Sequence, residues 1–204
     1  FLVFPLVVII PLSFNAVPFF TFTKEMLAFD PAGYSLKWYE DFFTNLNWQG
    51  AVQNSVIIAI FSTLISTTLG TLAALGLSRA QMPYRTLIMS ILISPMIVPL
   101  IISAAGMFFF YSRIGIQGTH IAVILAHAAL GTPFVVITVT ATLSGFDNNL
   151  IRASSSLGAP PSTTFFRVIV PLITPGVISG ALFAFITSFD AVSYTHLRAH
   201  ETTP

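Results

Sequence analysis

Only eight Lys or Arg and seven Asp or Glu occur in 204 residues, 7% of the chain, against 55% hydrophobic residues, 20 Phe and a mean hydropathy of +0.88. Soluble domains carry charge on about 25% of their residues, so this composition excludes a water-dispersed globule and a disordered chain and makes lipid the solvent. A formal charge of +1 leaves no basic footprint for nucleic acid, and zero Cys removes disulfide frameworks and thiolate metal sites.

An ionised side chain at mid-bilayer costs at least about 2.5 kcal/mol, so the charge-free stretches map the spans. Crossing the hydrocarbon takes roughly 20 residues. Five stretches are long enough: Phe1 to Thr23, Phe42 to Ser78, Thr86 to Ser112, Ile114 to Phe146 and Val168 to Phe189. The first has no basic start and no cleavage site of small residues, so it reads as a span and not a signal peptide; opening on Phe, it reads as a span clipped at its N-terminus. The second opens on the polar string from Thr44 to Gly50, which predicts a helix from Ala51 with Trp48 at the interface. Pro5, Pro11, Pro95, Pro99 and Pro133 each remove a backbone hydrogen bond and predict kinks of the kind transporters use to form cavities. Pro133 is therefore a candidate for the translocation path. His127 is a second, as the ionisable side chain lying well inside a span. In the fifth span, Gly176 and Gly180 form a small-x3-small pattern that permits close helix packing.

The connections fall at 24–50, 79–85, 112–119 and 147–171. The second and fourth carry Arg79, Arg85, Arg152 and Arg167 against Asp147; the first and third set Lys24, Lys37 and Arg113 against Glu25, Asp30, Glu40 and Asp41. The positive-inside rule puts 79–85, 147–171 and the N-terminus in the cytoplasm. Beyond the fifth span, Ser193 to Pro204 turns abruptly into a polar string that resembles a translated sequencing-adaptor tail. The helix is expected to end there, leaving 1–192 as the transmembrane domain and 193–204 as a non-native tail.

The 147–171 connection has structure of its own. Asp147 or Asn148 can cap a short helix whose face presents Leu150, Ile151, Ser154 and Leu157 at helical spacing. Gly158 is placed to stop it, Pro160 and Pro161 forbid its continuation, and Ser162 can cap a second helix running towards Pro171. A short amphipathic helix held at the membrane surface suits the groove of a partner protein.

This segment resembles the EAA loop of binding-protein-dependent ABC transporter permeases, written E-A-A-x3-G-x9-I-x-L-P. Here it stands as Arg152-Ala153-Ser154, three residues, Gly158, nine residues, Val168, Ile169, Val170 and Pro171, with Arg152 in place of the Glu. Tyr34 to Tyr39, Asn54-Ser55, Ser94 to Val98, Pro133 to Val136 and Ser188-Phe189-Asp190 are similar to the spermidine/putrescine-type branch. The resemblance implies an all-α polytopic membrane bundle, with five transmembrane helices present of an expected six and a cytoplasmic helix-turn-helix that couples to an ATPase. It implies as partners a second permease subunit, two cytoplasmic ATP-binding subunits and a periplasmic substrate-binding protein, with no cofactor on this chain. It also places Asp190 near the outer mouth of the path. The expected function is the permease subunit of a polyamine importer in the bacterial inner membrane. Iron, sulfate or thiamine permeases of the same family are the alternatives, and a self-contained secondary transporter or channel is a more distant one. Because a sixth span normally follows the Ser-x-Asp element, the chain reads as a fragment.

Enzymatic readings find no motif. The chain has no G-x4-G-K-[ST], H-E-x2-H or G-x-S-x-G, and His120 and His127 have no third partner in the sequence for a metal site.

Overall fold

The computed structural model describes residues 3–79, 81–147 and 149–201, with side chains through Asp190. Among these residues the backbone is helical, with no strand: α1 (Phe4–Leu12), α2 (Lys24–Leu27), α3 (Lys37–Thr44), α4 (Leu46–Leu77), α5 (Arg85–Ile97), α6 (Leu100–Arg113), α7 (His120–Ser144), α8 (Asn149–Ser156), α9 (Pro161–Thr164) and α10 (Val170–Glu201). The chain divides into two compact units, residues 1–53 and 54–204, with α4 contributing to both.

In the first unit, the described residues of the expected span over 1–23 are helical only through the nine residues of α1. At 1.5 Å per residue that is roughly 14 Å, under half the hydrocarbon thickness. The helix is ended by side-chain competition for its backbone. Pro11 sits in its last turn, and the Ser13 hydroxyl donates to Ile10 O at 2.6 Å. Asn15, 2% exposed, then folds the chain back on itself: Nδ2 donates to Phe19 O (2.9 Å) and Thr21 O (2.8 Å), and Oδ1 accepts from Val17 N (3.0 Å). The Trp38 indole donates to Asn15 O (2.8 Å), and Tyr39 meets the Ser13 hydroxyl at 2.7 Å, so α3 is pinned to this turn. The next helix starts at Leu46, five residues before the expected Ala51, because Asn45 Oδ1 accepts from Asn47 N (3.0 Å) and caps it early.

In the second unit the core is α4, α7 and α10. Their buried faces combine Ile58, Leu77, Val135, Val136, Val139 and Ile173 with many small residues: Ser62, Ser66, Gly70 and Ala74 on α4, Ala128 and Gly131 on α7, and Gly176, Gly180 and Ala184 on α10. Lipid supplies no hydrophobic drive between helices, so association rests on close packing and hydrogen bonds. The distances show how close it is. A Cβ added at Gly180 would lie 2.8 Å from Val135 Cα, and one at Gly70 would lie 2.7 Å from Val135 Cβ. Some hydroxyls on these helices return to their own backbone, as Thr132 does to Ala128 O (2.7 Å) and Thr142 to Thr138 O (2.9 Å), whereas those of Thr63, Thr67, Thr71 and Thr140 are buried without a partner among the described residues.

Among the described residues, three helical stretches are long and apolar enough to cross a membrane: Leu46–Leu77, His120–Ser144 and Pro161–Asp190. The expected span over 86–112 is instead two helices, α5 and α6, bent by 102°. The break is chemical. Pro99 has no N–H to continue α5 and drives Val98 into an extended conformation (ψ 133°). The expected end of the last helix near Ser193 is also not seen, since α10 runs on to Glu201. Residues 193–201 contain no Gly or Pro and include Leu197, Arg198, Ala199 and Glu201, all good helix formers. Residues 202–204 of the expected tail lie outside the described residues.

Candidate functional site

The 147–171 segment folds as a closed hairpin of helices. Asp147 Oδ1 accepts from Asn149 N at 2.9 Å and caps α8; Asn148, the other expected cap, lies outside the described residues. At the far end Gly158 takes φ +79°. Its N–H donates to Ser155 O (3.0 Å) and the Ala159 N–H to Ser154 O (3.1 Å), the paired bonds of a Schellman stop. Pro160 is extended and Pro161 opens α9. Ser162 is therefore not the cap that its position in the sequence suggested: a Pro in the first helical position brings the right φ and lacks the N–H that a cap would serve. Across the turn, the hydroxyls of Ser154 and Thr164 lie 2.8 Å apart.

The exit from the hairpin is a wider π turn, Phe165–Ile169, that passes without interruption into α10. Val168 and Val170 are half-buried there, Pro171 is exposed, and Ile169 packs beside buried Ile173 in the three-helix core. The outer surface of α8 is uncovered. Leu157 is 87% and Leu150 43% exposed, Arg152 and Ala153 are exposed, and Ile151 and Ser154 are half-buried. The ten residues singled out by the motif are thus gathered into one local structure: a rigid turn bearing apolar side chains and Arg152, fused to a long helix.

The three path candidates are not brought together. His127 lines a cavity of about 310 Å³ between α6 and α7, with Ser103, Met107, Phe108, Tyr111 and Gln117 among the other walls and no formally charged residue. Pro133 is fully buried in the helix core and lies outside that lining, and Asp190 is exposed on α10. Sequence reading missed the partners of His127. Its Nδ1 lies 2.8 Å from Ser188 Oγ, and Ser62 donates to the same Ser188 oxygen at 2.9 Å. Ser66, one turn from Ser62, donates to Ala128 O at 3.1 Å. The available signal was the recurrence of Ser62, Ser66, Gly70 and Ala74 every four residues along an otherwise apolar run.

The profile of the binding-protein-dependent transport system inner membrane components matches residues 66–196. The chain belongs to this family. The permease is 31% identical over 192 residues, 94% of its length and 72% of the relative's, to the spermidine/putrescine transport system permease protein PotC of Haemophilus influenzae. It is 30% identical over the same share of its length to the PotC of Escherichia coli K12, of which it covers 70%. A trehalose transport system permease protein, SugB of Mycobacterium tuberculosis, is 28% identical over 170 residues, 81% of this chain and 62% of the relative. The family and the apolar helices agree on a multi-pass protein of the inner membrane. The matched region holds the hairpin, α5 to α7, most of α10 and the last twelve residues of α4, so the hairpin lies inside the part that defines the family.

Proposed function

We propose that the permease forms the membrane path of an ATP-driven importer for polyamines, and that the hairpin at 147–171 is the element through which separate ATPase subunits drive it. The observation that carries the coupling role is continuity: from Pro161 to Asp190 the chain is a single 30-residue helical stretch, roughly 45 Å at 1.5 Å per residue. A displacement at the turn by Gly158 is passed toward the far end through a stretch with no break in the helix, with the π turn at Phe165–Ile169 and Pro175 as the places where it can bend. The uncovered Leu150 and Leu157, flanking exposed Arg152, suit an apolar groove with acidic groups at its rim. The polyamine cargo is supported by the similarity to the PotC permeases over 94% of the chain.

The partners follow from this reading: a second permease subunit closing the path, two cytoplasmic ATP-binding subunits in which ATP is bound and hydrolysed, and a periplasmic binding protein that delivers cargo. In the full assembly we place 79–85 and 147–171 in the cytoplasm and 24–50 outside, on the strength of Arg79, Arg85, Arg152 and Arg167. This arrangement has four crossings among the described helices: α4, the bent α5–α6 pair counted as one, α7, and the stretch from Pro161 to Asp190. His127, Pro133 and Asp190 are assigned to the path.

Uptake of radiolabelled spermidine by transporter-deficient cells expressing the full-length permease with its ATPase and binding-protein partners tests the reading. ATP-dependent uptake, competed by putrescine and not by trehalose, is expected. Uptake competed by trehalose alone would replace the cargo, and uptake independent of the ATPase would replace the mechanism.

A further inference from the structure

Ser188 is 2% exposed at the meeting of three helices, and its hydroxyl is the centre of a directed chain. Ser62 on α4 donates to Ser188 Oγ at 2.9 Å, the nearer of the two acceptors within reach of its hydrogen, the other being Ala59 O at 3.1 Å. Having accepted that hydrogen, Ser188 retains one of its own to donate. Thr174 and Thr187 on the same helix turn theirs back to Val170 O and Phe183 O, both at 2.8 Å, whereas the Ser188 hydroxyl faces the imidazole nitrogen of His127 at 2.8 Å. A hydroxyl that donates there requires Nδ1 to be the lone-pair nitrogen, so the ring proton belongs on Nε2.

We propose that Ser188 is a positioning residue that holds His127 as the Nε2–H tautomer at the wall of the α6–α7 cavity. The ring is fixed on one edge by α10 and offers an N–H donor from the other. The walls around it are neutral, so this donor is satisfied by water, whose remaining lone pair can accept from an ammonium group of passing cargo. Ser188 also lies on the same helical rod as the coupling hairpin, so the orientation of the cavity's one imidazole is set by the element that the hairpin moves. Ser62 acts one step further back, by committing the Ser188 hydrogen to the ring. This proposal rests on the reading of the cavity as part of the path.

The test is nitrogen NMR of the full-length permease in bilayers, with 15N-labelled His and the His127 signals assigned by their loss in His127→Gln. The native protein is expected to show His127 Nδ1 unprotonated and Nε2 protonated. Ser188→Ala should convert this to a mixture of tautomers, and Ser62→Ala, the second variant should Ser188→Ala fail to reach the membrane, should shift it in the same direction by less. A protonated Nδ1 in the native protein, or a tautomer indifferent to both substitutions, would overturn the proposal. Spermidine uptake measured in parallel separates it from the reading beneath it. Ser188→Ala is expected to raise the KM about fivefold, the loss of one water-mediated hydrogen bond, with no further rise when His127→Ala is added. A changed tautomer with a native KM would take the cavity off the path while leaving Ser188 as the residue that sets the ring.

Discussion

Ser154 and Thr164, ten positions apart, face each other across the Gly158 turn with their hydroxyls 2.8 Å apart, and this bond closes the hairpin that joins α8 to the helical rod. Thr164 is buried, 5% exposed, and its hydroxyl also reaches Pro160 O at 3.5 Å, so the bond sits where water does not compete freely. Thr164→Val removes it while keeping the shape of the side chain. The expected cost is about 1 kcal/mol of hairpin stability, read as a fall in spermidine taken up per ATP hydrolysed at unchanged permease abundance. An unchanged ratio would show that the bond does not stiffen the lever.

The surface of this hairpin is basic. Arg152 and Arg167 are exposed, and the acid of the segment, Asp147, is engaged in capping α8. Arg152→Glu should therefore weaken retention of the ATPase subunits during purification, more at low salt than at high salt, because like charges then face each other across the docked groove. Stronger retention would mean that the groove is basic and that Arg152 faces elsewhere.

How much of this was written in the sequence depends on the range of the interaction. The hairpin is local. Gly158, Pro160 and Pro161 lie within four residues, and the conformations they impose are intrinsic to them, so the stop and restart were legible; only the start differed, with Pro161 opening α9 where Ser162 was expected to cap it. The break between α5 and α6 was half legible. Pro99 announced a disturbance, but its 102° angle depends on what packs against each half. The Ser62–Ser188–His127 chain was not legible, because its members are separated by 126 and 61 positions and each hydroxyl alone reads as a residue bonded to its own helix.

Close packing of α7 on α10 makes a sharp prediction at Gly180. A side chain there meets Thr138 Oγ1 at 2.5 Å and the Val135 backbone at 2.8 Å, and backbone cannot step aside as a flexible side chain does. Gly180→Leu should lower the melting temperature of the detergent-solubilised permease, from an overpacking cost of about 1–3 kcal/mol or more. Gly106→Leu, with nothing within 4 Å of the added Cβ, serves as the control and should leave it near native.

Membrane sidedness is open to single-cysteine labelling, since the native chain has no Cys to interfere. Ala32 and Ser156 are both exposed. Ala32→Cys should react with an impermeant maleimide added to intact spheroplasts, and Ser156→Cys only after the membrane is opened. Reaction of both from outside would put the hairpin on the wrong side for an ATPase.

The most direct measurement compares native permease with Gly158→Val in proteoliposomes containing the ATPase and binding-protein partners, recording spermidine uptake and ATP hydrolysis together. Gly158 holds φ +79°, a conformation that costs a residue with a Cβ about 1–2 kcal/mol and a β-branched one more, so the Schellman stop opens and α8 loses its fixed angle to the rod. No neighbouring atom lies within 4 Å of the added Cβ, so the substitution acts through the turn and not through a clash in the core. The expected result is a permease that remains in the bilayer, supports ATP hydrolysis and takes up no spermidine. Uptake at the native rate by Gly158→Val would contradict the role of this hairpin as the lever between ATP and the membrane path.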